Sequence, residues 1–153
     1  MQCTPDQQGQ WETMADAVEN SGSSPVVILS VRLPADARNM RLISAWIVPI
    51  YHDPKTGNYD LAGGEGFPYP PREQLSPTWD QRQPAAGAVI RPARGPKEAV
   101  TLVFGVTRTS AAHVGRSDPP VIVYEAADGT TFTVQQGFSM VLAGTCSPGL
   151  VGF

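Results

Sequence analysis

The sequence predicts an all-β chain, an antiparallel sandwich of about seven strands interrupted by one long Pro/Gly-rich insertion at 59–97. Three observations predict it. Apolar residues recur with a period of two over discrete runs, the spacing that turns one face of a strand toward a core. Clusters of Asn, Asp, Gly, Ser and Pro separate those runs, with no strand–helix alternation of the kind that builds a parallel sheet. The length of 153 residues suits a single domain with one core. A small barrel is the alternative way to close the same strands.

Taken in order, residues 1–12 read as an N-terminal tail, and Trp11 to Val18 as a weak first strand. The turn cluster Asn20-Ser21-Gly22-Ser23-Ser24-Pro25 then leads into Val26–Leu33, so the two runs read as a hairpin. Within the second run Val27, Leu29, Val31 and Leu33 share one face, with Ser30 and Arg32 opposite. Arg41 to Tyr51 carries Leu42, Trp46, Val48 and Ile50 on one face and Ile43, Ala45 and Ile47 on the other. Two apolar faces predict a central strand.

Between His52 and Pro96 the character changes, with prolines at 68, 70, 71, 77, 84, 92 and 96. Regular structure is expected to shrink there to short edge strands, around Tyr59-Asp60-Leu61 and Ala88-Val89-Ile90. Ala99 to Thr109 restores alternation, with Val100, Leu102, Phe104 and Val106 inward and Thr101, Thr107 and Thr109 outward. Pro119–Ala126 is joined through Asp128-Gly129, the strongest hairpin signal in the chain, to a run from Thr131 to Leu142. In that run Phe132, Val134, Phe138, Met140 and Leu142 face one way, and Gly137 beside Gln136 marks a bulge.

Cys3 and Cys146 are the only cysteines and lie near opposite ends of the chain. Termini of a compact domain commonly meet, so the pair predicts a disulfide and an oxidising compartment. The net charge of −3 offers no basic face to nucleic acid. The densest apolar run, Ile43 to Tyr51, is far too short to cross a bilayer and contains Ser44 and Pro49. Met1-Gln2-Cys3 runs directly into polar sequence without a signal-peptide pattern, as a start just after a removed signal or anchor would.

Catalytic chemistry finds little material. His52 and His113 are the only imidazoles, no G-x-S-x-G elbow occurs, and His52-Asp53 are adjacent, which points their side chains apart. Asp53-Pro54-Lys55-Thr56-Gly57 bears a faint likeness to a calcium loop, but a polar turn accounts for every residue in it. Gly63-Gly64-Glu65-Gly66 lacks the Lys-Ser/Thr ending of a phosphate cradle. Glu65, Glu73 and Asp80 form a glycosidase-type carboxylate set by composition alone. No cofactor and no metal site is expected.

The segment with recognition character is Phe67-Pro68-Tyr69-Pro70-Pro71-Arg72, with Trp79 and Arg82 beyond it. Prolines hold such a backbone near polyproline II, while Phe67, Tyr69, Trp79, Arg72 and Arg82 are residue types that anchor interfaces. The structural reading of the same residues is that they pack against the sandwich and cover a sheet edge.

Asn20-Ser21-Gly22-Ser23-Ser24-Pro25-Val26-Val27-Ile28 resembles the opening hairpin of exported bacterial immunoglobulin-like domains, and Tyr124 to Val134 resembles their late hairpin. The Cys–Trp–Cys core of antibody domains is not matched, because Trp46 sits mid-chain while both cysteines lie at the ends. The resemblance implies an immunoglobulin-like fold and export to the cell envelope or beyond, and names no ligand. The expected function is therefore a non-catalytic exported or cell-surface interaction or structural module, with another protein or an envelope component as partner. The alternative is a ligand-binding protein or hydrolase whose site is assembled from distant residues.

Overall fold

A computed structural model describes residues 2–6, 11–60, 67–71 and 77–147. The chain is all-β, with antiparallel pairing in its larger sheets. Its strands are β1 (Gln2–Pro5), β2 (Glu12–Val18), β3 (Val26–Arg32), β4 (Met40–Pro49), β5 (Tyr51–His52), β6 (Tyr59–Asp60), β7 (Phe67–Pro68), β8 (Gln83–Pro84), β9 (Val89–Ile90), β10 (Val100–Arg108), β11 (Gly115–Ser117), β12 (Val121–Glu125), β13 (Thr131–Gln135) and β14 (Met140–Ala143). A five-stranded sheet runs β7-β2-β10-β4-β8 and a four-stranded sheet β13-β12-β3-β9. A small sheet, β1-β14-β11, and the ribbon β5-β6 complete the sheets among the described residues. Met14, Ile47, Leu102 and Phe104 of the first sheet meet Ile28, Ile90 and Ile122 of the second in one buried cluster, joined by Met140 and Leu142 of the third. That shared core holds the sheets together, because each contributes the apolar face that its alternation exposes.

Several expectations change once partners are known. β2 and β3 do not form a hairpin; the polar turn between them carries the chain from one sheet to the other. The segment read as a tail supplies β1, which pairs in parallel with β14 and sets Cys3 beside the chain's other end. Cys3 and Cys146 are disulfide-bonded, as predicted, with Cα atoms 5.9 Å apart and 143 residues between them. In the chain-entropy account a loop of that length stabilises the fold by about 4 to 5 kcal/mol. Nearby, Asp6 accepts two hydrogen bonds from the Arg108 guanidinium, at 2.6 and 2.5 Å, and both side chains are almost fully buried. A bidentate pair so enclosed ties the N-terminal segment to β10.

Bulges account for the displaced faces. On β3, Ser30 lies opposite Val123 while Ile28 lies opposite Tyr124, so Leu29 has no partner across the ladder. The extra residue inverts the alternation, which buries Ile28, leaves Leu29 44% exposed and keeps Val31 and Leu33 against the core. On β4, Leu42 pairs with Val106 and Ser44 with Gly105, which makes Ile43 the extra residue. Leu42 then joins Ala45 and Ile47 on the main core, while Trp46 and Val48 keep the opposite face. Thr101 and Thr107 were expected outward, yet both are buried, because the five-stranded sheet is covered on both faces.

The run from Thr131 to Leu142 is two strands rather than one. It breaks after Gln135, and Gly137, at φ +103°, adopts a backbone conformation that L side chains resist. Gln136 anchors the break by donating to the Asp16 carboxylate at 2.9 Å and the Ala17 carbonyl at 3.0 Å. Upstream, the Asp128-Gly129 hairpin forms as expected: the Gly129 amide donates to the Ala126 carbonyl and the Ala126 amide to the Thr130 carbonyl, both at 2.9 Å. Gly129 supplies the left-handed residue, φ +82°, that closes a three-residue loop. The two short edge strands expected around Tyr59 and Val89 are β6 and β9.

Candidate functional site

The Pro-rich insertion straps one face of the five-stranded sheet. It enters as β7 on the β2 edge and leaves as β8 on the β4 edge. Between these points Tyr69 and Trp79 pack on Ala15, Val48 and Val103, the face turned away from the main core. The Tyr69 amide donates to the Trp11 carbonyl at 2.8 Å, and the Thr13 hydroxyl donates to the Pro68 carbonyl at 3.0 Å. At the far side the Thr78 hydroxyl donates to the Pro49 carbonyl at 2.6 Å. The described ends of the strap are therefore hydrogen-bonded to the sheet or its flanking strands.

The aromatic residues of the strap form one cluster. Tyr69 and Ser44 share a hydroxyl–hydroxyl bond of 2.6 Å, and the Trp46 indole donates to the same Ser44 oxygen at 3.3 Å. Trp79 meets Trp46 and Tyr69 edge-on, with centroids 6.2 and 6.3 Å away. The Arg82 guanidinium sits over both indoles, 5.1 Å from Trp46 and 4.8 Å from Trp79. Burial pushes the Tyr69 phenol above its ordinary pKa, and its bond to Ser44 offsets part of that rise. Gly105 makes the seat: a Cβ there would lie 2.5 Å from the Tyr69 ring. Of the five interaction residues predicted from sequence, the fold gathers Tyr69, Trp79 and Arg82. The Phe67 backbone forms β7 against Thr13, and Arg72 lies outside the described residues. Trp11, Ser44, Trp46 and Gly105 were missed as members. Only Gly105 left a signal, as a lone glycine inside a β-run where another group approaches closely.

No family model, curated protein or solved structure matches this chain.

The other candidates from the sequence scatter. His52 is exposed on β5 beside Tyr59, and His113 is exposed in the loop after β10, where its carbonyl accepts from Asn39 and Arg108. The Asp53 carboxylate accepts from the Lys55 amide at 2.8 Å and the Thr56 hydroxyl at 2.9 Å. Those turn bonds hold its pKa below the usual carboxylate value, with the Lys55 bond the larger cause. Asp80 is exposed, whereas Glu65 and Glu73 lie outside the described residues. Among the described residues no three His, Cys, Asp or Glu side chains gather as metal ligands.

A second surface was not foreseen. Beneath β13 opens a cleft of about 500 Å³. Val26, Ile28, Ile122, Tyr124, Phe132 and Val134 form its apolar wall, and the 19–24 turn its polar rim. Tyr124 and Phe132 stack across the hairpin with centroids 5.5 Å apart. Asn20 shapes the rim: its side-chain amide donates to the Ser24 and Ile90 carbonyls at 2.9 and 3.0 Å, and its oxygen accepts from Gly22. All five residues of β13 are exposed, including Phe132 at 45% and Val134 at 40%. The alternation that predicted an inward face was read correctly as strand. It could not say that no described residue buries that face.

Proposed function

We propose that the chain is an exported, non-catalytic interaction module on an immunoglobulin-like sandwich, and that it meets another protein or cell-envelope component through the β13 cleft. The observation that carries this reading is the exposure of Phe132 and Val134 on a strand with no covering element among the described residues. An apolar wall beside a polar rim is the surface character of an interaction site. The strap cluster serves the fold instead, because its aromatic rings are spent on one another and on the sheet. Export is supported by the Cys3–Cys146 disulfide, a bond that persists in oxidising compartments. Among the described residues no helix is long and apolar enough to cross a membrane. A module of two sheets on a shared core, with its ends stapled, fits an ectodomain.

Photo-crosslinking tests the reading in the cell that makes the protein. A benzophenone side chain at position 134 should yield a discrete adduct with an envelope partner, and one at position 82 should not. Adducts at position 82 alone would move the interaction to the strap. A cytosolic chain with both thiols free would end the export reading.

A further inference from the structure

We propose that the β13 edge pairs with the same edge of a second copy, in antiparallel register centred on Thr133; this rests on the reading of β13 as the interaction edge. The hydrogen-bond parity of the strand sets the register. The Ala126 amide donates to the Thr130 carbonyl at 2.9 Å and the Gln136 amide to the Pro120 carbonyl at 3.1 Å, so even-numbered residues from 130 to 136 bond toward β12. Thr131, Thr133 and Gln135 therefore turn their N–H and C=O groups to the open side. These three residues are spaced so that a second copy, turned about a twofold axis through Thr133, answers every one of them. Thr133 faces Thr133, and Thr131 faces Gln135 in both directions.

Side chains agree with that register. In between, Phe132 falls opposite Val134 of the second copy, on the cleft side, twice. Aromatic–β-branched and Thr–Thr pairs are among the favourable cross-strand neighbours, and no charge lies on the strand to repel its copy. Among the described residues no strand pairs with the open side, and β13 itself carries no Pro, no Lys, no inward charge and no bulge against β12. By contrast, the opposite edge of the same sheet is the two-residue β9, too short to template a partner. Pairing would join two four-stranded sheets into one and set the exposed Phe132 and Val134 side by side across the new ladder, burying part of each. A contact of one five-residue strand is small, so the dimer should be weak and concentration-dependent.

Sedimentation equilibrium of the oxidised full chain, from micromolar to millimolar, reads the association. The wild type should approach twice the monomer mass at the upper end. Thr133→Lys and Thr133→Glu each put like charges face to face at the twofold axis and should weaken association several-fold, while leaving the exposed site of the monomer folded. Mixing the two variants should restore a dimer of one copy of each. Thr133→Pro removes the outward N–H but no bond to β12, and should weaken association about tenfold or more. A chain that stays monomeric to millimolar concentration overturns the proposal, as does a dimer that Thr133→Lys leaves intact or a mixture that fails to re-associate. Should that chain still crosslink through position 134 to a different protein, self-pairing fails while the interaction module stands. Circular dichroism of each variant confirms that the readout is association rather than unfolding.

Discussion

The outer face of the five-stranded sheet and the cleft face of the four-stranded sheet begin with the same difficulty, apolar side chains that the main core does not reach. On the first, Trp46 and Val48 are covered by a strap that crosses from the β2 edge to the β4 edge. On the second, Phe132 and Val134 stay exposed beside a cleft. The covered face hydrogen-bonds its strap at both ends and fits Tyr69 onto a glycine. On the open side β13 exposes all five of its residues, with Phe132 and Val134 on the cleft face. A face that has been covered contributes to stability, and a face left open at the cost of that contribution is available for partners.

Mutation can break this contrast or sharpen it. Trp46 stands at the centre of the covered side, so Trp46→Ala should cost about 2 to 3 kcal/mol, below the full core range because the indole is half-buried. Chemical denaturation with an unchanged m-value checks that the loss is one of stability. Gly105→Ala drives a methyl into the Tyr69 ring and should cost about 1 to 3 kcal/mol by overpacking. Most of that loss should vanish in the Tyr69→Ala background, and a double-mutant cycle that came out additive would deny the contact.

Glu12 gives a smaller, pH-dependent effect at the end of the same sheet. Burial raises its pKa above the ordinary carboxylate value, and the negative charge of Asp6 raises it further. An acid with a raised folded-state pKa favours folding fully below its unfolded pKa, and that contribution is lost as pH rises through the folded value. Glu12→Gln should therefore raise the melting temperature at neutral pH and flatten the decline between mildly acidic and neutral pH. Calorimetry across that window reads both. The smallest effect belongs to the open side: Phe132→Ser should cost less than about 1 kcal/mol, because only the Tyr124 stack and the strand pairing are touched. If Phe132→Ser proved as damaging as Trp46→Ala, the cleft would be core, and the contrast would collapse.

How much was legible depends on the range over which each signal acts. The Asp128-Gly129 hairpin was legible because its chemistry is local, a turn closed by neighbours within five residues. For Tyr69, Trp79 and Arg82 residue type alone allowed both packing and an interface, and only the fold set Tyr69 and Trp79 on the outer face of the five-stranded sheet with Arg82 over the indoles. The tie between Asp6 and Arg108 was not legible, because 102 residues separate two charges that neither neighbourhood marks out. Leu29 and Ile43 show a subtler failure. One extra residue in a ladder inverts every face beyond it, and the bulge depends on the partner strand rather than on the bulged one.

By itself the sequence determined that this protein is built of strands, where the Asp128-Gly129 hairpin turns, and which two cysteines could bond, because only two exist and period two is written residue by residue. Only the tertiary structure decided which sheet each strand joins, that Thr101 and Thr107 lie buried, and that Phe132 and Val134 lie open. The physical reason is that alternation assigns side chains to faces, whereas burial is a property of what packs across from a face. That packing is supplied by residues far away in the chain.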